Sequence, residues 1–507
     1  MRLPKKIFNI LFSRLFIVGL MLMLQIAIVF TIVVYFSLST FVVYLFCNLI
    51  SIVVVIGLVS RDEQPDFKIT WIISILSFPI FGGIFYLLFA YRRIPHKLRR
   101  QIESSHQNIH DWIPFNQLSP HHPHDALLSD YIHNLTGYPV CENTTVEYFP
   151  IGEQMFERML EEMEKAERFI FMEFFIVKPG IMWDAVFELM SRKVSEGVEV
   201  FFMYDDIGSI STMNKKMDRA IMDAGIRLCL FNRFRPHAST MLNHRDHRKI
   251  LVVDGKTAFC GGINIADEYI NHLVRFGHWK DTGIMLKGDA AWPFSLMFLQ
   301  QWRFASGEEV DMSNYRPNPL SPQPTDGQVQ VFGDSPLDRY NVTETAYIGS
   351  IVRAERYIYI TTPYLVIDNA MRQALCNAAI SGVDVRIITP YHYDKWYVHV
   401  LTRSNYAALI RSGVKIYEYT PGFMHGKMFV TDDRVCMVGT CNMDFRSFHL
   451  HFECSALMYE SSAIFKVKKD MLDSMKLSHL VDFIETQDVS IPVRILRAIL
   501  KVFAPLM

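Results

Sequence analysis

Internal duplication constrains this chain more than any other feature, because segments that recur in the same order must fold the same way twice. Ala166-Glu167-Arg168-Phe169-Ile170-Phe171 returns 188 residues later as Ala354-Glu355-Arg356-Tyr357-Ile358-Tyr359. Gly197-Val198-Glu199-Val200 returns after 185 as Gly382-Val383-Asp384-Val385, and Ala224-Gly225-Ile226 after 188 as Ser412-Gly413-Val414. His247-Arg248-Lys249 answers to His425-Gly426-Lys427 after only 178, so the first copy carries about ten extra residues before its histidine, in a loop expected at 232–246. Each copy alternates β-branched and aromatic runs (169–177, 198–204) with helical periodicity (157–166). That alternation predicts an α/β fold of two duplicated lobes, each with a mixed, largely parallel sheet flanked by helices.

A chain of 507 residues exceeds one ordinary core. The lobes are expected at 110–312 and 328–488, joined by a linker at 313–327 where Pro317, Pro319, Pro322 and Pro324 alternate with polar residues. Ahead of them lies a different kind of sequence. Residues 15–60 form 46 positions without a charge, and 69–91 form another 23. Helices of about 20 apolar residues cross a membrane, so residues 1–100 read as an anchor with two or three hydrophobic segments at 15–36, 41–60 and 69–91 and a turn at 37–40. Arg2, Lys5, Lys6 and Arg14 before these segments and Arg92, Arg93, Lys97, Arg99 and Arg100 after them both favour the cytoplasmic side. Multi-pass anchoring with cytoplasmic lobes is therefore the expectation. At the other end, 489–507 reads as an amphipathic helix, with Ile495, Ile499, Val502 and Phe503 on one face and Arg494, Arg497 and Lys501 away from it.

With Lys+Arg 51 against Asp+Glu 52, the chain has no bulk attraction for nucleic acid. Its eight cysteines are scattered, with no CxxC pair, which argues for reduced thiols over a disulfide framework or a zinc site.

Both copies end on one pattern: His247-x-Lys249-x4-Asp254-x6-Gly261-Gly262-x-Asn264, and His425-x-Lys427-x4-Asp432-x6-Gly439-Thr440-x-Asn442. On a strand, histidine and lysine two apart share a face; an aspartate at the strand's end suits a turn, and small residues let backbone approach a ligand. A single HxK is ordinarily a solvated face, and a single Gly-Gly ordinarily a turn. The whole pattern recurring in two diverged copies outweighs those readings. Two histidines, two lysines and two asparagines around one anion suit a phosphate, with one histidine attacking and the other protonating the leaving oxygen, and with no metal or cofactor required.

The paired motifs resemble those of the phospholipase D superfamily, and the surrounding blocks resemble bacterial cardiolipin synthases: Tyr204-Asp205-Asp206-Ile207-Gly208-Ser209, Trp279-Lys280-Asp281-Thr282, Thr362-Pro363-Tyr364, Gly422-Phe423-Met424-His425 and Asn442-Met443-Asp444-Phe445-Arg446-Ser447. The resemblance covers nearly the whole chain. It implies two phospholipase D-like lobes and a phosphatidyltransferase that joins two phosphatidylglycerol molecules into cardiolipin, releasing glycerol through a phosphohistidine. It implies His247 as nucleophile, His425 as general acid, Lys249, Lys427, Asn264 and Asn442 as phosphate ligands, and Asp254 and Asp432 among the active-site residues, although bracing of the strand end is the alternative for these two. It also implies Asp281 and Glu453 as acids orienting the imidazoles, with surface or structural ion pairs as the alternative. Partners would be phosphatidylglycerol and membrane lipid, with no nucleic acid. Two departures stand out: His451-Phe452-Glu453 where the family usually has Asn-Phe-Glu, and Lys280 where arginine is common. A phospholipid or nucleic-acid hydrolase would use the same phosphohistidine with water as acceptor, and a scaffold that had lost catalysis would be expected to lack a motif residue. Tyr364, Phe423, Phe445 and Phe448 are candidates for an apolar wall that keeps water out.

Overall fold

The computed structural model describes residues 38–78, 118–233, 243–318, 326–338 and 340–506, with isolated positions at 23, 27, 30, 31, 82, 83, 86, 112, 113, 322 and 324. The chain forms two compact units: residues 1–93, 234–242 and 502–507, and residues 94–233 and 243–501. The segment expected at 15–36, the end of that at 69–91 and the basic clusters around them lie almost wholly outside the described residues, as do 234–242 of the expected loop and part of the proline-rich linker.

In the first unit, helix Leu38–Val59 has 22 residues and no charge, a rise of about 33 Å. It already includes residues 38–40, where a turn was expected. Helix Pro65–Ser77 follows, opened by a proline at its first position, where the missing N–H costs nothing. Trp71 and Ile75 bury against Leu58, and Lys68 Nζ donates to the Val59 carbonyl at 3.2 Å. Away from that contact the apolar side chains lie open, Phe46, Val53 and Ile56 each more than 60% exposed. Among the described residues no helix is long and apolar enough to cross a membrane.

The second unit holds the duplication. Its strands, in chain order, are β1 (Val140–Cys141), β2 (Thr144–Phe149), β3 (Phe169–Phe174), β4 (Glu199–Asp205), β5 (Arg227–Phe231), β6 (Arg245–Asp246), β7 (Ile250–Val253), β8 (Thr257–Gly261), β9 (His278–Lys280) and β10 (Gly283–Gly288). The second copy supplies β11 (Gln328–Asp334), β12 (Tyr357–Thr361), β13 (Leu365–Val366), β14 (Asp384–Pro390), β15 (Lys415–Tyr419), β16 (Gly422–Met424), β17 (Met428–Thr431), β18 (Val435–Gly439), β19 (Met443–Asp444), β20 (His451–Tyr459) and β21 (Ser478–Leu480). Among the described residues the first sheet runs β2-β10-β8-β7-β3-β4-β5. The second repeats that order as β11-β20-β18-β17-β12-β14-β15 and adds β1 and β21 at its two edges. Register repeats as well: Ile170 faces Val253 on β3 and β7, and Ile358 faces Thr431 on β12 and β17.

The sheets are mixed α/β, but not largely parallel as expected. Only β3-β4-β5 and β12-β14-β15 run parallel within those shared orders. Helices such as Ile181–Ser195 and Asn369–Ile380 carry the chain between those strands. The remaining neighbours are antiparallel because the second half of each copy is a hairpin: β7 turns into β8 through Asp254 and Gly255 (φ 54° and 68°), and β17 into β18 through Asp432 and Asp433 (φ 54° and 62°). Consecutive left-handed residues match the twist of a hairpin and leave no room for a crossover helix.

One hydrophobic core runs through both lobes, from Phe171, Ile250 and Cys260 to Val438, Cys454 and Leu457. Helix Ala291–Ser306 lies within it, from Ala291 through Leu299 buried at every position, and Phe171 stacks on its Phe298 at 4.6 Å. Cys260 Sγ and Cys454 Sγ meet at 3.6 Å, one from each copy, and all eight cysteines are free thiols. Packing of this kind holds the two motif-bearing hairpins at a fixed separation.

Candidate active site

The motif histidines precede β7 and β17 in irregular backbone, not on those strands as expected. The reason is pairing across the lobes. Just before His247, β6 runs parallel to the start of β20, and His247 N–H donates to the Phe452 carbonyl at 2.9 Å. Just before His425, β16 runs parallel to β9, and His425 N–H donates to the Lys280 carbonyl at 2.7 Å. Each histidine therefore leaves its own sheet to dock on a strand of the other copy.

That docking pairs each imidazole with the other lobe's acid. Glu453 Oε1 and Oε2 lie 2.9 and 3.1 Å from His247 Nδ1, and Asp281 Oδ2 lies 2.5 Å from His425 Nδ1. Both acids are fully buried. They are held differently. Asp281 accepts the Thr282 N–H at 2.9 Å and fits only because position 262 is glycine: a Cβ there would stand 2.0 Å from Asp281 Oδ1. The second copy has Thr440 at that position, and its hydroxyl donates to Glu453. The small pair of the motif thus seats its own copy's acid, which serves the other copy's histidine.

The lysines complete the centre. Lys249 Nζ donates to the His247 carbonyl and Lys427 Nζ to the His425 carbonyl, each at 2.5 Å, and Lys427 Nζ also lies 2.9 Å from His425 Nδ1. Burial lowers Lys249 to about 8 and Lys427 to about 7. Burial, reinforced by the neighbouring lysines, also holds His247 well below the ordinary imidazole value and His425 at about 4, so both rings rest neutral at pH 7. A neutral ring whose Nδ1–H is given to a carboxylate keeps a lone pair on Nε2.

The other motif residues are engaged within the protein, and for the two aspartates the bracing alternative fits the geometry. Asp254 and Asp432 are not brought to the imidazoles. Asp254 accepts N–H groups of Glu167, Arg168 and Phe169 at 2.8–2.9 Å, and Asp432 those of Glu355, Arg356 and Tyr357 at 2.7–3.0 Å. They tie the hairpin to the start of β3 and of β12. Asn264, expected on phosphate, spends its oxygen on the Ile176 N–H at 2.9 Å and an amide hydrogen on Tyr269 Oη at 2.8 Å. Asn442 differs, with a buried oxygen that has no hydrogen-bond partner among the described residues. Lys280 is tied to Asp470 Oδ1 at 2.6 Å. Of the aromatic candidates, Phe423 packs on Trp279 and His425, whereas Phe448 turns into the core against Tyr347.

In the sequence His451 stands out only as a departure from the family pattern, yet its ring centroid lies 5.3 Å from that of His247. Trp279 takes the matching place beside His425, also at 5.3 Å. Aligning Trp279-x-Asp281 with His451-x-Glu453 would have exposed that pairing. Ligand atoms of His247, His451 and Glu453 lie within 4.8 Å of one another, close enough for a metal. The hydrogen bond behind His451 opposes it: Arg446 Nε donates to His451 Nε2 at 3.3 Å, which places the ring proton on Nδ1, the atom facing Glu453.

Comparison with known proteins points to one family. The family described as cardiolipin synthase, PLD-like domain, matches residues 347–475, and the phospholipase D-nuclease N-terminal family matches 47–90. A cardiolipin synthase of Geobacillus kaustophilus is 34% identical over 478 residues, 93% of this chain and 94% of that protein. An uncharacterized protein of Streptococcus mutans is 41% identical over 458 residues, 89% of this chain and 99% of its own length. Among solved structures, phosphatidylserine synthase of Haemophilus influenzae aligns with a TM-score of 0.56 at 13% identity, over 75% of this chain and 97% of that chain, a likeness of fold.

Proposed function

The chain belongs to the cardiolipin synthase family of the phospholipase D superfamily, and we propose that, as a phosphatidyltransferase, it joins two phosphatidylglycerol molecules through a phosphohistidine. The observation that carries this reading is the crossed pair of buried acid–imidazole contacts, Glu453 on His247 and Asp281 on His425, around two buried lysines.

His247 Nε2 attacks the phosphodiester phosphorus of the first lipid, and the P–O bond to the headgroup glycerol breaks. His425 gives its Nε2 proton to the departing oxygen. The anionic phosphodiester, drawn between Lys249 and Lys427, raises the His425 imidazole from its resting value and keeps both lysines charged. Glu453 stabilises the cationic ring that forms on His247, and Asp281 holds His425 in its working tautomer. A glycerol hydroxyl of the second phosphatidylglycerol then gives its proton to His425 and attacks the phosphorus, breaking the P–N bond and freeing His247. Lys249, Lys427 and Asn442 hold the phosphoryl oxygens, and Asp254 and Asp432 support the hairpins from outside the centre.

Membrane anchoring through residues 1–100, crossing more than once, with lobes at 110–312 and 328–488 on the cytoplasmic side, belongs to the same proposal. The open apolar side chains of helix Leu38–Val59 support it. Helix Ile491–Phe503, with Ile491, Ile495 and Ile499 all more than half exposed at four-residue spacing, suits a seat at the lipid interface. Lipid analysis of a cardiolipin-deficient bacterium expressing the chain tests the reading: cardiolipin should reappear, and His247→Asn or His425→Asn should abolish it. Restoration by both variants would refute it.

A further inference from the structure

The two half-sites share one reacting phosphate, so what distinguishes the two lipids must lie where the copies differ. One difference is a reversal of charge. Four residues after the motif asparagine, the first copy has Glu268 and the second has Arg446, each the second residue of a short helical turn. Glu268 is buried and ion-paired with Lys178 at 3.3 Å and Arg275 at 3.8 Å. Arg446 has no such partner: among the described residues no carboxylate oxygen lies within 4.0 Å of its guanidinium, and its one hydrogen bond goes from Nε to His451 Nε2. Its two Nη groups are left to donate. A second difference compounds the first, since the ring beside His247 is His451, whereas that beside His425 is Trp279. The imidazole gives Arg446 its anchor on the nucleophile's side, 3.3 Å from a ring that itself stands 5.3 Å from His247. Lys395 adds charge at the rim, half-exposed, lying over the Tyr364 ring with its Nζ 4.0 Å from Asp394.

An arginine held at one nitrogen and open at its fork matches a phosphodiester's paired oxygens. The reacting phosphate already has two lysines. The acceptor lipid brings a phosphodiester of its own, one glycerol away from the hydroxyl that attacks. We infer that Arg446, braced by His451 and aided by Lys395, binds the phosphodiester of the acceptor lipid and so selects a phosphorylated glycerol over free glycerol or water. This assignment rests on the reading that the acceptor is phosphatidylglycerol. Burial of the guanidinium, which lowers its pKa, favours an anionic ligand there.

The test compares two acceptors competing for the same phosphohistidine. Full-length enzyme in phosphatidylglycerol vesicles with labelled glycerol reports both cardiolipin formation and exchange of free glycerol into the lipid. Arg446→Gln should lower the ratio of cardiolipin formed to glycerol exchanged by about tenfold or more, the loss of one charge-assisted contact, chiefly through the acceptor KM. Arg446→Lys should lose less, and Lys395→Gln, exposed and safe for folding, should lower the ratio by about two- to threefold. An unchanged ratio in both Arg446→Gln and Lys395→Gln, or equal falls in exchange and transfer, would overturn the assignment. Wild-type enzyme that exchanged glycerol without forming cardiolipin would instead refute the underlying reading.

Discussion

Glu453 Oε1 stands 2.9 Å from His247 Nδ1 although the two residues belong to different copies of the repeat, and Asp281 reaches His425 in the same crossed way. A duplication that kept its acids at home would give two independent half-sites. The crossing makes each lobe's histidine depend on the other lobe for its tautomer, so neither lobe supplies a competent imidazole by itself. Single substitutions of the acids should therefore damage the histidine of the opposite lobe.

Labelling can separate the two steps. With phosphatidylglycerol labelled at phosphorus, a rapid acid-free quench should leave label on the peptide bearing His247. His425→Asn should slow formation of that label, and His247→Asn should abolish it. Glu453→Gln should lower labelling by about 10²–10⁴-fold, as removal of an imidazole-orienting acid does elsewhere. Equal labelling of the two histidine variants would reverse or dissolve the assignment of roles.

Gly262→Ala should act at a distance through Asp281. Its Cβ would stand 2.0 Å from Asp281 Oδ1, so the carboxylate must leave its place beside His425. Turnover should fall by about 10²-fold, the usual consequence of a misplacement of this size, with a small change in thermal midpoint. Wild-type turnover in this variant would show that the Asp281–His425 contact is dispensable.

The pH dependence follows from His425 and the lysines. Lys427 at about 7 and Lys249 at about 8 lose their charge as pH rises through those values in the free enzyme, and with it their hold on phosphate. kcat/KM should decline from about pH 4 upward, because the free enzyme must take up the proton that His425 donates, and more steeply above about pH 7 to 8 as the lysines discharge, while kcat stays flatter, because bound phosphodiester keeps His425 and the lysines protonated. Both imidazoles rest neutral, His425 down to about 4, so no acid limb should appear near pH 6.5. Initial-rate profiles in mixed micelles test this, and Lys427→Arg should move the alkaline limb upward, since guanidinium stays charged.

Asp254→Ala and Asp432→Ala should cost stability more than chemistry. Each carboxylate satisfies three backbone N–H groups, and leaving buried donors unpaired costs about 1–3 kcal/mol apiece before relaxation. A loss of about 2–4 kcal/mol in chemical denaturation is expected, with turnover per folded molecule retained. A folded variant with no turnover would return these aspartates to the catalytic centre.

Much of this was legible in the sequence because duplication preserves spacing. The offsets of 188 and 178 located β3 with β12 and β7 with β17, the motif named both histidines and both lysines, and the family resemblance supplied both acids. What the residues could not announce was pairing between copies. Alternating patterns specify that a strand has a neighbour, not which copy supplies it, so β6 on β20 and β16 on β9 were invisible, and with them the displacement of the histidines from β7 and β17. Sheet direction failed for a related reason: Asp-Gly and Asp-Asp after a strand are hairpin signals, and the helix-rich first half of each copy outweighed them. Asn264 and Asn442 looked equivalent, but Tyr269, five residues after its asparagine, takes the amide of one and has no counterpart on the other, where the chain has Ser447.

The central claim is transfer between two lipids, and product stoichiometry tests it most directly. Purified full-length enzyme in vesicles of phosphatidylglycerol alone should yield cardiolipin and glycerol in equal molar amounts, with little phosphatidic acid, since the acceptor is delivered by the same membrane surface as the donor. Phosphatidic acid as the dominant product would make the chain a phospholipase, and glycerol release without any cardiolipin would contradict the account.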